Sequence, residues 1–283
     1  MVQNGSNLWY CGANNNGAAA ASGQFVLFLN NDTWLEPDCL EKLYNEVIAA
    51  GADGATPLVL DYDDNAFQNC GSPGLDWFGL TTHMGPPAKT TEVFAACGCS
   101  LLVRTEMFRK VGGFAPELLI YADETDLSWR LWIAGGKVVT VPGARLHHRG
   151  AAVVNPEGKT KMVESRTTET KRYLANRNGI LFLLKNSQHF LLLLLIPHLL
   201  LLAAEALISL GLLRRGRFFR DAYLKAILDC WRMRGHVREW RRRIHAFRQR
   251  SDFQMLRFLH LKPSRWEEVK RLFQMGVPKV DPR

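Results

Sequence analysis

The run Phe25-Val26-Leu27-Phe28-Leu29 stops abruptly at Asn30-Asn31-Asp32. A short apolar run bounded by polar residues is a strand covered on both faces, and such a strand requires other layers of structure to cover it. One layer follows at once. Pro37 opens a helical pattern whose apolar residues fall at Leu40, Leu43, Val47 and Ile48, and Gly51 closes it. Ala55 to Leu60 is then a second strand. Strands alternating with helices predict an α/β layer architecture.

The rest of the chain extends that pattern. Residues 1–23 read as a loop-rich entry, with Asn14-Asn15-Asn16-Gly17 as turn chemistry before an alanine-rich turn of helix. Residues 61–92 carry glycines, prolines and little periodicity, which predicts long surface loops of the kind that bear function. Val93 to Val103 reads as a strand, Met107 to Val111 as a short helix stopped by Gly112-Gly113, Asp123 to Ala134 as a helix, and Lys137 to Val141 as a strand. From Thr167 to Lys185 the pattern is helical. Phe190 to Leu213 is almost wholly aliphatic, interrupted by Pro197, His198, Glu205 and Ser209, and is long enough to cross a bilayer.

A hydrophobic content of 47% is that of a globular chain and excludes a disordered one. The formal charge of +9 is concentrated: residues 214–250 hold thirteen arginines or lysines against Asp221, Asp229 and Glu239, so the remainder is nearly neutral. That local excess calls for an anionic partner. The segment has neither a nucleic-acid motif nor an aromatic stacking pattern, so an anionic membrane surface is expected and nucleic acid is not. Six cysteines with no Cys-x-x-Cys pair fit a reducing compartment, and Cys97-Gly98-Cys99 reads as small buried hydrophobes.

Three constellations carry chemistry. Asp32 stands at the carboxyl end of a strand, where α/β sheets bind ligands, and one carboxylate suffices for a magnesium ion whose other positions go to phosphates and water. It also serves as a plain strand end or helix cap. Asp123, Glu124 and Asp126 gather at a helix start, where the macrodipole favours carboxylates. Capping by Asp123 and an i,i+4 pair of Asp126 with Arg130 account for two of them structurally, which leaves Glu124 free to act as a general base. His147 and His148 follow the segment Val141-Pro142-Gly143-Ala144-Arg145-Leu146, and a neutral imidazole there either completes a metal site with Asp32 or lies on the surface.

Taken in order, the Asn-Asn-Asp after a buried strand, the Gly112-Gly113-Phe114 turn, the acidic helix from Tyr121 to Arg130 and the proline–histidine strand resemble family 2 glycosyltransferases over residues 4–185, most closely the bacterial rhamnosyltransferase type. The resemblance implies a GT-A-like mixed sheet with flanking helices, lacking the first strand-helix-strand unit, plus a helical membrane-associated C-terminal region. It implies Asp32 and His148 as ligands of a divalent cation, Mg2+ or Mn2+. Glu124 would be the base, or Asp123 in its place, because the family's Glu-Asp pair is exchanged here. Asn15, Gly17, Asn30, Asn31 and Arg177 would lie on the donor side, and Gly98 and Asp126 on the acceptor side.

The implied reaction is a single inverting displacement that moves a sugar, rhamnose among the candidates, from a nucleotide-sugar donor to a hydroxyl of a lipid-linked or cell-surface glycan. Two further departures are Ala115, where the family has an aspartate, and Arg265-Trp266 without the glutamine of processive members, which favours single-sugar addition. The missing opening unit implies a fragment, a second polypeptide that supplies that half, or a non-catalytic, decayed transferase-like scaffold. The expected division is 1–188 for the truncated transferase domain, 189–215 for the apolar segment and 216–283 for a basic helical tail. A full span would put the arginines in the cytosol and the catalytic part outside, away from cytosolic nucleotide sugars. A peripheral or re-entrant segment broken at Pro197, at the cytoplasmic face of the cell membrane, is therefore expected.

Overall fold

The computed structural model describes residues 1–149, 166–213, 215–266 and 279–281. The chain divides into two compact units, Met1–Gly74 with His83–Thr160 and Phe247–Ser251, and Leu75–Thr82 with Lys161–Ala246 and Asp252–Arg283. The first unit contains α1 (Trp9–Ala20), β1 (Phe25–Leu29), β2 (Thr33–Leu35), α2 (Cys39–Ala49), β3 (Gly54–Asp61) and β4 (Phe67–Asn69). After β5 (Leu75–Asp76), which belongs to the second unit, come β6 (Thr91–Glu92), β7 (Ser100–Arg104), α3 (Thr105–Lys110), α4 (Asp123–Ile133) and β8 (Val138–His148).

Seven of the described strands form one mixed sheet, ordered β1-β7-β3-β8-β2, with β4 joined to β3 and β6 to β8. β3 and β8 run parallel, and the other pairings in this sheet are antiparallel. This is the mixed α/β layering that the alternating pattern predicts. Helix α2 packs Cys39, Leu43 and Val47 against Ala55, Leu102, Val139 and Val141 of the sheet, while Leu40 and Ile48 on its other side stay exposed.

One irregularity positions the site. Pro57 lies opposite Val141 but Leu58 lies opposite Arg145, so Pro142-Gly143-Ala144 bulge out of the β3–β8 ladder. The bulge carries His148 to the register position opposite Asp61, at the carboxyl ends of both parallel strands.

Several local expectations change. The asparagine-rich entry is a twelve-residue helix, α1, and not a turn. Side-chain bonds offset the turn propensity: the Asn14 amide donates locally to the Tyr10 carbonyl four residues back in the same helix, and the Asn15 amide donates across the fold to that of Phe114. The strand expected over Val93–Val103 is ordered only from Ser100, because Cys97 bridges back to Ser100 and the chain reverses at Gly98. The strand expected at Lys137–Val141 runs on to His148, since the bulge lets it resume pairing. The loops of residues 61–92 include β4, β5 and β6.

Within the first unit the deepest polar contact is Asp126–Arg130. Arg130 Nη2 lies 2.8 Å from Asp126 Oδ2, and both side chains are fully buried. Nη1 also donates to the carbonyls of Val111 and Gly113 at 2.7 and 2.6 Å, which ties α4 to the end of α3. Arg250 caps the other end of α4 by donating to the carbonyls of Trp132, Gly135 and Gly136.

The second unit is largely helical, with β9 (Arg166–Thr168), α5 (Glu169–Asn186), α6 (Leu195–Leu213), α7 (Gly216–Phe219), α8 (Lys225–Arg232), α9 (Arg234–Phe247), α10 (Asp252–Met255), β10 (Leu259–His260) and β11 (Lys279–Asp281). Arg241 caps α5 through the carbonyls of Leu184, Ser187 and Gln188, and the Asp252 carboxylate accepts the backbone N–H groups of Gln188, His189 and Leu191. Pro197 does not break the apolar segment: it occupies the first turn of α6, where its missing N–H costs no hydrogen bond. His198, Glu205 and Ser209 do share a buried-side face, bonded to the Phe78 carbonyl, Arg265 and Tyr223.

Arg130→Ala leaves a charged Asp126 buried without its partner, so it is expected to cost about 3–5 kcal/mol in urea unfolding. The paired replacement Asp126→Leu/Arg130→Met removes both charges and is expected to recover most of that loss.

Candidate functional site

The first cluster lies at the carboxyl ends of β3 and β8. Asp32 precedes β2, and the pairing of Thr33 with His148 sets the histidine beside it. His148 Nε2 is 3.5 Å from Asp32 Oδ1, outside the usual hydrogen-bond range, and both side chains remain partly open to solvent. On the ring's far side Nδ1 meets Gln68 Oε1 at 3.2 Å. Gln68 Nε2 donates to Asp61 Oδ2 and to the His148 carbonyl, at 2.9 and 2.8 Å. Burial lowers the His148 pKa against the opposing charges of Asp32 and Asp61 and so favours neutral imidazole. At Asp61 burial works the other way, but hydrogen bonds from the Asp63 amide and Gln68 outweigh it and hold the carboxyl below the usual range.

The second cluster lies at the start of α4. Tyr121 and Ala122 both have left-handed backbone, with φ of 73° and 57°, a conformation that costs non-glycine residues about 1–2 kcal/mol each. Ala122 takes the N-cap position, so Asp123 is the first helical residue and not the cap the sequence suggested. Asp123 is buried. Burial, then the charge of Glu124, push its carboxyl well above the ordinary aspartate range. Glu124 is partly accessible, and burial raises its carboxyl as well.

Cys97-Gly98-Cys99 lies between the two clusters. A Cβ placed on Gly98 would sit 3.4 Å from Glu124 Cδ, and the Gly98 carbonyl accepts the Tyr10 hydroxyl at 3.0 Å. The Cys99 carbonyl accepts the Asn30 amide at 3.0 Å. Bonding to Cys97, burial and the nearby Asp32 charge push the Cys99 thiol well up. Glu124 and the backbone of Asn30 thus both adjoin this turn. All six cysteines are buried and none forms a disulfide, and Cys97 and Cys99 Sγ lie 3.4 Å apart.

The remaining candidates fall in different places. Asn15 spends its amide on both backbone groups of Phe114 and packs against Gly113, whose φ of 67° leaves no room for a side chain. Gly17 is exposed on α1, Asn31 is exposed, and Asn30 is half-buried. Asp126 points into the core toward Arg130. Arg177 belongs to the second unit, where its guanidinium donates to the Asn178 side chain and stacks over Tyr173. The sequence reading missed Gln68, Asp61 and Tyr10. For Asp61 the signal was present, since it ends the Ala55–Leu60 strand as Asp32 follows the first one.

The Asp32–His148 pair fits a divalent cation. A carboxylate oxygen and a ring nitrogen face each other without a hydrogen bond of normal length, and a carboxylate with neutral imidazole suits a transition cation such as Mn2+ better than Mg2+, whose ligands are oxygens. Among the described residues no group of three or more His, Cys, Asp or Glu is arranged to hold a metal. The protein's share would therefore be two ligands, with the remaining positions left to phosphate and water.

Comparison with known proteins places residues 1–112 in the family model "Glycosyl transferase family 2". The chain is 32% identical over 165 residues to the Drosophila melanogaster protein named "Putative polypeptide N-acetylgalactosaminyltransferase 13", a match covering 52% of this chain and 29% of that protein. It is 27% identical over 157 residues to "O-antigen biosynthesis protein RfbC" of Myxococcus xanthus, covering 50% of this chain and 12% of the relative. The chain thus spans less than a third of the length of these two relatives. Among solved structures, that of GalNAc-T7 with UDP, GalNAc and Mn2+ aligns with a TM-score of 0.45 at 21% identity, covering 52% of this chain and 31% of that one.

Asp123 and Glu124 bind their protons more tightly in the folded chain than in the unfolded one. The stability this contributes is complete below the unfolded carboxyl range and is lost as pH rises through the raised folded values. Asp123→Asn is expected to flatten that decline, so that its Tm falls less than the wild type's as pH rises from 4 to 8. Thermal melts between pH 4 and 8 check it; identical slopes for both proteins would count against a raised Asp123.

Proposed function

We propose, for a chain whose residues 1–112 belong to glycosyl transferase family 2, that it transfers a single sugar from a nucleotide-sugar donor to an acceptor hydroxyl with inversion at the anomeric carbon. The observation that carries the reading is that the Asn30 backbone and Glu124 both adjoin the turn at Gly98. Asp32 and His148 would hold the divalent cation, which when bound offsets the negative charge of the departing diphosphate. Glu124 takes the acceptor proton as that oxygen attacks the anomeric carbon and the bond from sugar to diphosphate breaks. Burial suits it to the task, because a raised carboxyl pKa makes the carboxylate a stronger base near neutral pH. Gly98 presents no side chain of its own to that carboxylate, which supports the approach of an acceptor hydroxyl from that side.

We keep rhamnose as a candidate sugar and a lipid-linked or cell-surface glycan as the acceptor, with transfer assigned to 1–188, membrane attachment to 189–215 and a basic tail to 216–283. One described stretch, Phe190–Gly211, is long and apolar enough to cross a membrane. Leu193, Leu200 and Leu207 on it are exposed by 62%, 66% and 65%. A second apolar stripe, Leu224, Ile227, Leu228 and Trp231, is exposed along α8 at helical spacing, next to Arg220, Lys225 and Arg232. Apolar stripes flanked by cations support an in-plane seat on anionic lipid, with about 1 kcal/mol from each arginine or lysine near the surface.

A panel of nucleotide sugars, assayed for release of nucleoside diphosphate with Mn2+ and with chelator, tests the transfer. Glu124→Gln is expected to lower kcat about 10²–10⁴-fold, and Asp32→Asn to raise the Mn2+ concentration required. Turnover of no donor, or turnover indifferent to both replacements, would favour a non-catalytic scaffold. Leu200→Glu/Leu207→Glu is expected to abolish co-sedimentation with phosphatidylglycerol vesicles while leaving hydrolysis of a soluble donor unchanged. Retained sedimentation would remove the lipid-facing role of α6.

A further inference from the structure

Gln68 occupies an unusual backbone position. Val59 pairs with Asn69 and Leu60 with Phe67, so Gln68 is the extra residue of a β-bulge between β3 and β4. Bulges re-aim side chains, and this one turns an exposed glutamine toward the ends of β3 and β8. Its amide nitrogen has two N–H groups and two acceptors that cannot donate in return, Asp61 Oδ2 at 2.9 Å and the His148 carbonyl at 2.8 Å. A flipped amide would set its oxygen against two other oxygens, so the orientation is fixed by its partners. The remaining atom, Oε1, then faces His148 Nδ1 at 3.2 Å as a pure acceptor. The imidazole must answer with an N–H at Nδ1.

We propose that Gln68, anchored by Asp61, is a positioning residue that locks His148 in the Nδ1–H tautomer and keeps its Nε2 lone pair turned toward Asp32. Free imidazole side chains in water prefer the proton on Nε2, which would put a hydrogen where a cation must bind. Gln68 reverses that preference through one hydrogen bond, and the backbone carbonyl of His148 joins the same clamp, so ring and amide are registered to each other. The inference rests on the reading of Asp32 and His148 as metal ligands, but the tautomer is a property of the protein alone and is read without metal, donor or turnover. Partners behind a ligating histidine typically change metal affinity about 10–100-fold when removed.

The test uses the full chain labelled with ¹⁵N-histidine, without metal, at a pH where His148 is neutral. Long-range ¹H–¹⁵N correlation is expected to show the His148 proton on Nδ1 in the wild type and on Nε2 in Gln68→Leu. Mn2+ titration followed by electron paramagnetic resonance is expected to give about 10–100-fold weaker binding for Gln68→Leu than for the wild type. A wild-type proton on Nε2, or a tautomer unchanged in Gln68→Leu, overturns the proposal. A tautomer that switches as expected in a protein that binds no Mn2+ upholds the role of Gln68 and overturns the metal reading.

Discussion

The parallel pairing of β3 with β8 is the constraint on which the first cluster depends. Its hydrogen bonds set Asp61 and His148 side by side only because Pro142-Gly143-Ala144 leave the ladder between Val141 and Arg145. The antiparallel partner β2 then reads its register from the displaced half of β8, pairing Thr33 with His148 and Leu35 with Leu146. Asp32 is therefore placed by a bulge in a strand more than a hundred residues away. A bulge of a different length would carry every residue after Val141 to another register and separate the cluster without altering any of its side chains.

The second cluster has a different anchor. Glu124 sits where it does because α4 begins abruptly after two left-handed residues and because Arg130 clamps the helix to the Gly112–Gly113 turn. The strain at Tyr121 and Ala122 needs such an anchor: about 1–2 kcal/mol per residue must be offset by packing elsewhere. Trp129, Leu131, Trp132 and Ile133, all essentially buried, supply it from the same helix. Asp126 serves this scaffold, and its proximity in sequence to Glu124 reflects helix geometry.

Much of this was legible in the residues. The strand Phe25–Leu29, the helix after Pro37, the strand from Ala55 and the helix from Asp123 are all present within one or two residues of their expected limits, because each has apolar periodicity and a clear stop signal. The Asp126–Arg130 pair was visible as i,i+4 spacing. What escaped was set by distant partners. Asn14-Asn15-Asn16-Gly17 has the composition of a turn and lies in a helix whose Asn15 side chain is held by the backbone of Phe114, ninety-nine residues away. Gln68 has no local signature at all: its role comes from a bulge, a carboxylate seven residues before it and a carbonyl eighty residues after it. The arginine-rich segment reads as a surface for an anionic partner, yet Arg241 and Arg250 are spent as helix caps.

The two clusters also differ in how their environments treat charge, and this difference supports the roles proposed for them. Around Glu124 the dominant influence is loss of water, which pushes the carboxyl up and makes its carboxylate a stronger base than that of a solvated glutamate. Around Asp61 hydrogen bonds prevail over burial and keep the carboxylate ionised, while His148 stays neutral because burial disfavours its charged form. Separating titratable groups in this way is how a single fold keeps a base apart from a fixed set of ligands. The Gly98 turn then sets the spacing between them: it is bonded to the Asn30–Asp32 segment through the Cys99 carbonyl and meets Glu124 with no side chain of its own. A side chain at position 98 would enter the space beside the Glu124 carboxylate while leaving the Asp32–His148 pair intact, so loss of acceptor use with retained cation binding is the behaviour this arrangement implies for Gly98→Val.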